Sequence, residues 1–160
     1  VILREATRAD ADVIESLDLG VRSSPSLDEV REILSGLTRW QADVEHRPLD
    51  RRVVVAEIDD RIVGVAAHEL AIDERTAMPF PGYRYLLVVA IDAAHQRSGF
   101  ARFLTESLFV DMASDGITSV SWLVAPDNHE SLAFTRNVFP EAEETQAPED
   151  RPYLRFTLRL

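Results

Sequence analysis

The stretch YLLVVAID-AA-HQRSGFARFL, Tyr85 to Leu104, carries the most information in this sequence. An apolar run long enough for a strand leaves through a short polar turn with Gly99 near its end. An amphipathic segment follows at once, with Phe100, Leu104, Leu108 and Met112 at i+4 steps and Phe103 beside them. Strand, glycine turn and helix in succession can hold a phosphate. The glycine permits the bend, and the first amides of the helix have no acceptor within it. They carry the positive end of the helix dipole. Arg97 and Arg102 add formal charge in an otherwise acidic chain. A plain structural turn with a satisfied cap would leave the same local pattern.

Working outward, 84–92 reads as a strand buried on both faces, because its apolar character is nearly continuous. RVVVAEI (52–58) and RIVGVAAHEL (61–70) read as a hairpin about Asp59-Asp60. DERTAMPFPGY (73–83) reads as a polar loop. Towards the N-terminus, 1–6 reads as a strand. Asp10 is placed to cap a helix over 11–20 carrying Val13, Ile14, Leu17 and Val21. After the break at Ser24-Pro25-Ser26, Ser26 and Glu29 form a capping-box pattern. The helix behind it carries Leu27, Val30, Leu34, Leu37 and Val44. Towards the C-terminus, Asp115-Gly116 stops the amphipathic helix, and 117–124 is a strand. Asp127 and Glu130 form a second capping-box pattern for a helix through Val138. PYLRFTLRL (152–160) is a last strand after the acidic loop EAEETQAPEDRP, its neighbour in the sheet left open. The order is β α α β β β α β α β, an α/β (α+β) chain read as one domain over 1–160.

The 160 residues include 28 acidic and 17 basic side chains, a formal net charge of −11, which argues against non-specific binding to nucleic acid or to an anionic membrane. The same balance is compatible with a cationic substrate. The hydrophobic fraction of 46% suits a folded domain, and no apolar run is long enough to cross a bilayer. Without a secretory pattern at the N-terminus, a cytoplasmic location is expected. There is no cysteine, so neither a thiolate metal site nor a cysteine nucleophile is available, and the four histidines lack metal-ligand spacing. No metal is expected.

The turn is neither a P-loop, which needs Gly-Lys-Ser/Thr, nor the three-glycine dinucleotide fingerprint. Gln96-Arg97-Ser98-Gly99-Phe100-Ala101 instead fits Gln/Arg-x-x-Gly-x-Gly/Ala, and here the sequence resembles the GNAT N-acetyltransferase superfamily, which binds acetyl-CoA. VAIDAAHQRSGFARFLTESL resembles that family's central strand, pyrophosphate loop and helix. EIDDRIVGVAAHEL resembles the preceding hairpin, and APDNHESLAFTRNVF the later helix.

The resemblance implies a mixed central sheet of six to seven strands with about four helices and splayed central strands. It implies that Arg97, Ser98, Gly99, Phe100 and Ala101 cradle the CoA pyrophosphate through their amides, with Gln96 opening the loop and Arg102 beside it. The backbone of Val89, Ala90 and Ile91 would pair with the pantetheine arm, and the Val89 N–H would polarise the thioester carbonyl. Asn128 would contact CoA; from the residues alone it reads equally as a helix cap.

The family's acid, a tyrosine seven residues after the asparagine, is replaced by Thr135, with Phe134 beside it. Water or Tyr153 could substitute. A base is sought in His68, whose ordinary pKa suits proton transfer, or in Glu69; adjacent strand residues face opposite ways, so at most one meets the cleft. The acceptor site would be built from the early helices, the loop at 73–83 and the region after Val138, with Trp40, Phe80, Tyr83, Tyr153, Asp43, Glu45, Asp73 and Glu74 available.

The expected activity is acetyl transfer from acetyl-CoA to an amine by direct attack in a ternary complex. The expected partners are acetyl-CoA and the amine, with room for a homodimer. A non-catalytic acyl-CoA-binding module, or an unrelated α/β binding protein with a merely structural turn, are the competing readings.

Overall fold

Hydrophobic alternation on both faces of the strands produces a seven-stranded sheet, order β1-β2-β3-β4-β5-β7-β6. A computed structural model describes residues 1–20, 31–36, 50–73, 76, 78–147 and 152–160. The strands are β1 (Ile2–Glu5), β2 (Arg52–Ile58), β3 (Arg61–Asp73), β4 (Met78–Ile91), β5 (Ser119–Val124), β6 (Glu143–Gln146) and β7 (Leu154–Arg159). The helices are α1 (Ala11–Glu15), α2 (described over residues 31–36), α3 (Phe100–Ser114) and α4 (His129–Val138). Only β4 and β5 run parallel; every other neighbouring pair is antiparallel. No helix among the described residues is long and apolar enough to cross a membrane.

The two sheet faces bury separate cores. One packs Val53, Val55, Val65, Ala67 and Ala90 against Ile14, Leu17, Leu19 and Leu34. The other packs Val120, Trp122, Val124, Phe156 and Leu158 against α3 and α4. There Trp122 stacks on Phe156 at 5.9 Å between ring centroids and meets Phe139 edge-on at 5.7 Å. Burial of large aromatics of this kind contributes about 3–5 kcal/mol each, judged by truncation to alanine.

Several local expectations are corrected. The first helix ends at Glu15 rather than near 20. Asp10 does not cap it: the carboxylate accepts from the Thr7 amide at 2.6 Å and from both terminal nitrogens of Arg4 at 2.8 Å, so a bidentate ion pair to β1 takes the group instead. Asn128, not Asp127, caps α4, with its Oδ1 accepting from the Ser131 amide at 3.1 Å. Phe103 lies on the outer side of α3, 45% exposed, and Phe109 is buried in its place. The Ser26–Glu29 pattern, Trp40, Asp43, Glu45 and Glu74 lie outside the described residues.

The loop expected at 73–83 is mostly strand. Met78 and Pro79 pair with Asp73 and Ile72 of β3. Pro79 and Pro81 are tolerated because β5 joins β4 only from Tyr83, so that stretch is an edge needing no second donor. The acidic segment after Val138 also holds a strand: β6 is polar and wholly exposed, so no alternation announced it, and its ladder with β7 supplies the order. That places the last strand inside the sheet, between β5 and β6. The Asp59-Asp60 turn forms as expected, with both residues left-handed (φ 49° and 60°), as a two-residue hairpin of this twist requires.

Candidate active site

The cleft follows from a failure of pairing. β4 and β5 share three register positions, Tyr83↔Ser119, Arg84↔Val120 and Tyr85↔Ser121, and then part. β4 bulges there: Ala67 pairs with Val88 and His68 with Leu86, leaving Leu87 without a partner on β3. Beyond the bulge β4 keeps β3 on one side and has a free edge on the other. This is why Tyr85 to Val89 are only half-buried, against the expectation of a strand covered on both faces. The central strands are splayed, as expected.

The alternation of an antiparallel ladder says which groups meet that edge. The Asp92 amide donates to the Val63 carbonyl at 2.8 Å. The next residue, Ile91, therefore turns its amide and carbonyl to the free edge, Ala90 turns back to β3, and Val89 faces the edge again. Ala90 is thus removed from the expected set of edge-pairing residues. The Ile91 carbonyl is already taken by the Gln96 side-chain amide at 2.8 Å, which also donates to Leu19 at 3.1 Å. Gln96 pins the exit of β4 to the segment after α1 and is a positioning residue for the loop. The free groups are the Val89 amide and carbonyl and the Ile91 amide.

The loop continues this line of donors. Arg97 and Gly99 are both left-handed, with φ 59° and 81°. Ser98 is held by its hydroxyl donating to the His95 carbonyl at 2.6 Å. Alternating backbone handedness turns successive N–H groups to one side, a nest for an anion. Among the described residues, the amides of Arg97, Ser98, Gly99, Phe100, Ala101 and Arg102 have no protein acceptor. They stand at the positive end of a 15-residue helix. A Cβ on Gly99 would meet nothing within 4 Å, so the space over the nest is open. The Phe100 side chain points away, into the core. Arg97 reaches Glu130 at 3.3 Å across the mouth of the cleft, and Arg102 pairs with Glu106 at 2.9 Å; both pairs are solvent-exposed and weak.

The expected catalytic side chains separate. Thr135 is 3% exposed, and its hydroxyl accepts from the Trp122 indole at 3.2 Å. It belongs to the core beneath α4 and is withdrawn as the acid. Phe134 packs beside it, edge-on to Phe139. His68 lies on the α3 side of the sheet, where its Nδ1 accepts from Arg84 Nε at 2.6 Å. Burial, then the positive charges of Arg84 and Arg52, push its pKa down to about 3. It is a neutral acceptor at physiological pH and is withdrawn as the base. Glu69 faces the opposite side, paired across the ladder with Tyr85 and held by Arg51 through Oε2.

That same side of β5, β7 and β6 carries polar residues. Ser121 is fully buried and meets the Tyr83 hydroxyl, while Thr157 donates to it at 3.3 Å. The clue was the alternation in ITSVSWLV and PYLRFTLRL, which puts Ser119, Ser121, Arg155, Thr157 and Arg159 on one face. A hollow of about 570 Å3 opens beside them, lined by Phe80, Tyr83, Ser119, Glu141, Glu143 and Arg159 among others. Of the residues named above as acceptor-site candidates, Phe80 and Tyr83 line it. Of the other acceptor-site candidates, Asp73 ends β3 and Tyr153 stands just before β7; neither lines this hollow. A smaller hollow of about 320 Å3, between β1, β2 and the end of α3, is lined by His68 and lies on the other side of the sheet.

The sequence of 18–138 matches the family model described as "Acetyltransferase (GNAT) family". The chain belongs to the GNAT acetyltransferase family. Solved GNAT-like structures agree in fold across the whole chain. A PaiA N-acetyltransferase from Thermoplasma acidophilum in complex with coenzyme A superposes with a TM-score of 0.71 at 13% identity, covering 99% of this chain and 98% of that one. An acetyltransferase from Thermus thermophilus gives 0.67 at 20% identity, covering 100% and 98%. A ribosomal-protein-alanine N-acetyltransferase from Brucella melitensis gives 0.61 at 18% identity, covering 100% of both. No curated protein matches the sequence.

Proposed function

We propose that this protein transfers an acetyl group from acetyl-CoA to a primary amine by direct attack in a ternary complex. The observation that carries the reading is two sets of donors without an acceptor among the described residues, the Val89 and Ile91 amides on the free edge of β4 and the nest at 97–102. The nest suits the pyrophosphate, and the Val89 and Ile91 edge groups suit the amides of the pantetheine arm. A GNAT fold with coenzyme A bound supports it.

In the reaction, the Val89 amide donates to the thioester oxygen as negative charge gathers there. Glu69 takes the proton of the incoming amine, directly or through water, using the oxygen that Arg51 leaves free. The Tyr83 hydroxyl, several residues up the strand from Val89, gives a proton to the departing sulfur through water. Thr157 donates to Ser121, whose hydroxyl meets that of Tyr83; with Ser121 as the donor in that pair, the phenolic hydrogen is free for the cleft. The amine enters through the hollow beside Phe80 and Tyr83.

The test is calorimetric titration with acetyl-CoA, with ATP as control, followed by amine-dependent release of free thiol. Saturable acetyl-CoA binding that is lost in Gly99→Glu supports the reading; binding of ATP alone, or none, overturns it. The burial of Thr135 favours a second reading, a non-catalytic acyl-CoA-binding module. Binding without thiol release across a broad amine panel would select that one.

A further inference from the structure

In a chain with 28 acidic residues, the well-placed arginines find carboxylates. Arg4 binds Asp10 and Glu57, Arg51 binds Glu69, and Arg84 binds Asp50. Arg155 finds none among the described residues, nor a backbone carbonyl as Arg31 does. It is half-buried on β7, its Nε is shut off from solvent, and it has no hydrogen-bond partner. Among the described residues no carboxylate pairs with it. Glu143, on the same sheet face one strand away, is exposed and forms no ion pair with it. A desolvated guanidinium nitrogen without an acceptor is costly, and a guanidinium whose terminal nitrogens also hold no acceptor among the described residues gains when an anion reaches them.

Its position relates this residue to the reaction. Arg155 stands opposite Leu123 of β5 and Thr145 of β6. Leu123 lies two residues beyond Ser121, the last position that β5 shares with β4, so it borders the gap where the strands part. Arg155 is one strand spacing behind that gap, about 4.8 Å, a distance an arginine side chain can span. Between them Leu123 is 38% exposed, an apolar surface for the body of a small molecule. On the same face Thr157 carries a hydroxyl, Ser121 is fully buried against Tyr83, and Glu143 stands opposite Thr157.

We infer that Arg155 anchors a carboxylate of the acceptor, so that the substrate is an amine carrying its own carboxylate, of the amino-acid class. The guanidinium fork matches a carboxylate with two parallel hydrogen bonds and fixes the orientation of the amine beside it. This assignment rests on the acetyl-transfer reading of the cleft and names the acceptor for it.

The experiment uses matched sets: several α-amino acids, their primary amides and their decarboxylated amines, with O-phosphoethanolamine as a phosphate-bearing amine. One arm measures thiol release from acetyl-CoA. The other measures binding of N-acetyl amino acids and N-acetyl amino amides to the CoA-loaded protein by ligand-observed NMR, which needs no turnover. The expected result is a preference for the carboxylates of about tenfold or more. Arg155→Gln should abolish it through KM, with kcat and acetyl-CoA affinity unchanged, and Arg155→Lys should keep part of it. Equal treatment of acids and amides in both arms, persistence of the preference in Arg155→Gln, or preference for O-phosphoethanolamine would each overturn the assignment. A protein that fails to bind acetyl-CoA would instead overturn the acetyl-transfer reading.

Discussion

Single residues in this site are set by backbone conformation as much as by side-chain type. Gly99 has φ 81° and open space over its Cα, so Gly99→Ala introduces backbone strain of about 1–2 kcal/mol without blocking the nest, whereas Gly99→Glu adds bulk and negative charge against it. That contrast makes the alanine variant the control for the titration above. Tyr83 is the residue on which the proton inventory turns. Tyr83→Phe removes the hydroxyl and leaves the ring contacts with Phe80 and Tyr85. It should lower kcat by about a hundredfold with acetyl-CoA affinity unchanged. An unaltered kcat in a steady-state assay would pass the acid role to water. Glu69 was legible as a candidate from sequence, but His68, its neighbour, was not separable from it. Only the register shows that one faces Arg51 and Tyr85 while the other is buried against Arg84.

At the scale of elements, the working part is a strand that lacks a neighbour. The bulge at Leu87 and the parting of β4 from β5 leave the Val89 and Ile91 amides on a free edge, and α3 begins with amides that no described residue caps. Hydrogen exchange should therefore be fast at Val89, Ile91 and 97–102 in the free protein, and slow on addition of CoA. The Ala90 amide, in the ladder with β3, should be protected in both states. Protection of Val89 before CoA is added, or no change at 97–102 afterwards, would count against the cleft as the CoA site. The glycine turn and the helix behind it were readable because their apolar spacing is regular. The bulge was not, since one extra residue in a run of Leu and Val leaves no mark on composition.

For the whole molecule, three buried or half-buried groups tie stability to pH in the same direction. Arg84 and Arg52 hold the Asp50 carboxyl below its ordinary range against its desolvation, and Arg4 does the same for Asp10. His68, pushed down by burial, binds its proton in the unfolded chain near pH 6.5 but in the folded chain only near pH 3. Between those values the unfolded state carries more protons. The His68 contribution is therefore complete above pH 6.5 and is lost as pH falls towards 3, at up to about 1.4 kcal/mol per pH unit. Denaturant unfolding followed from pH 7 to pH 4 should show this slope. His68→Gln, which keeps an acceptor for Arg84, should flatten it while leaving the steeper carboxylate-driven loss at lower pH. A wild-type stability that is level between pH 6.5 and 4.5 would contradict the burial of a neutral His68.

Spacing along the chain determined the order of most elements, the hairpin about Asp59-Asp60, the buried face of α3 apart from Phe103, and the loop at Gln96 to Ala101. These depend on periodicity and on the left-handed freedom of glycine, which are local properties. The tertiary structure decided which strand lost its neighbour, which backbone groups reached the free edge, and that Thr135 is buried while Arg155 has no partner among the described residues. It also decided that the polar segment at Glu143–Gln146 becomes a strand, because β7 offers it a ladder. These outcomes depend on register between residues far apart in sequence, and a one-residue slip or bulge reverses the face of every side chain beyond it.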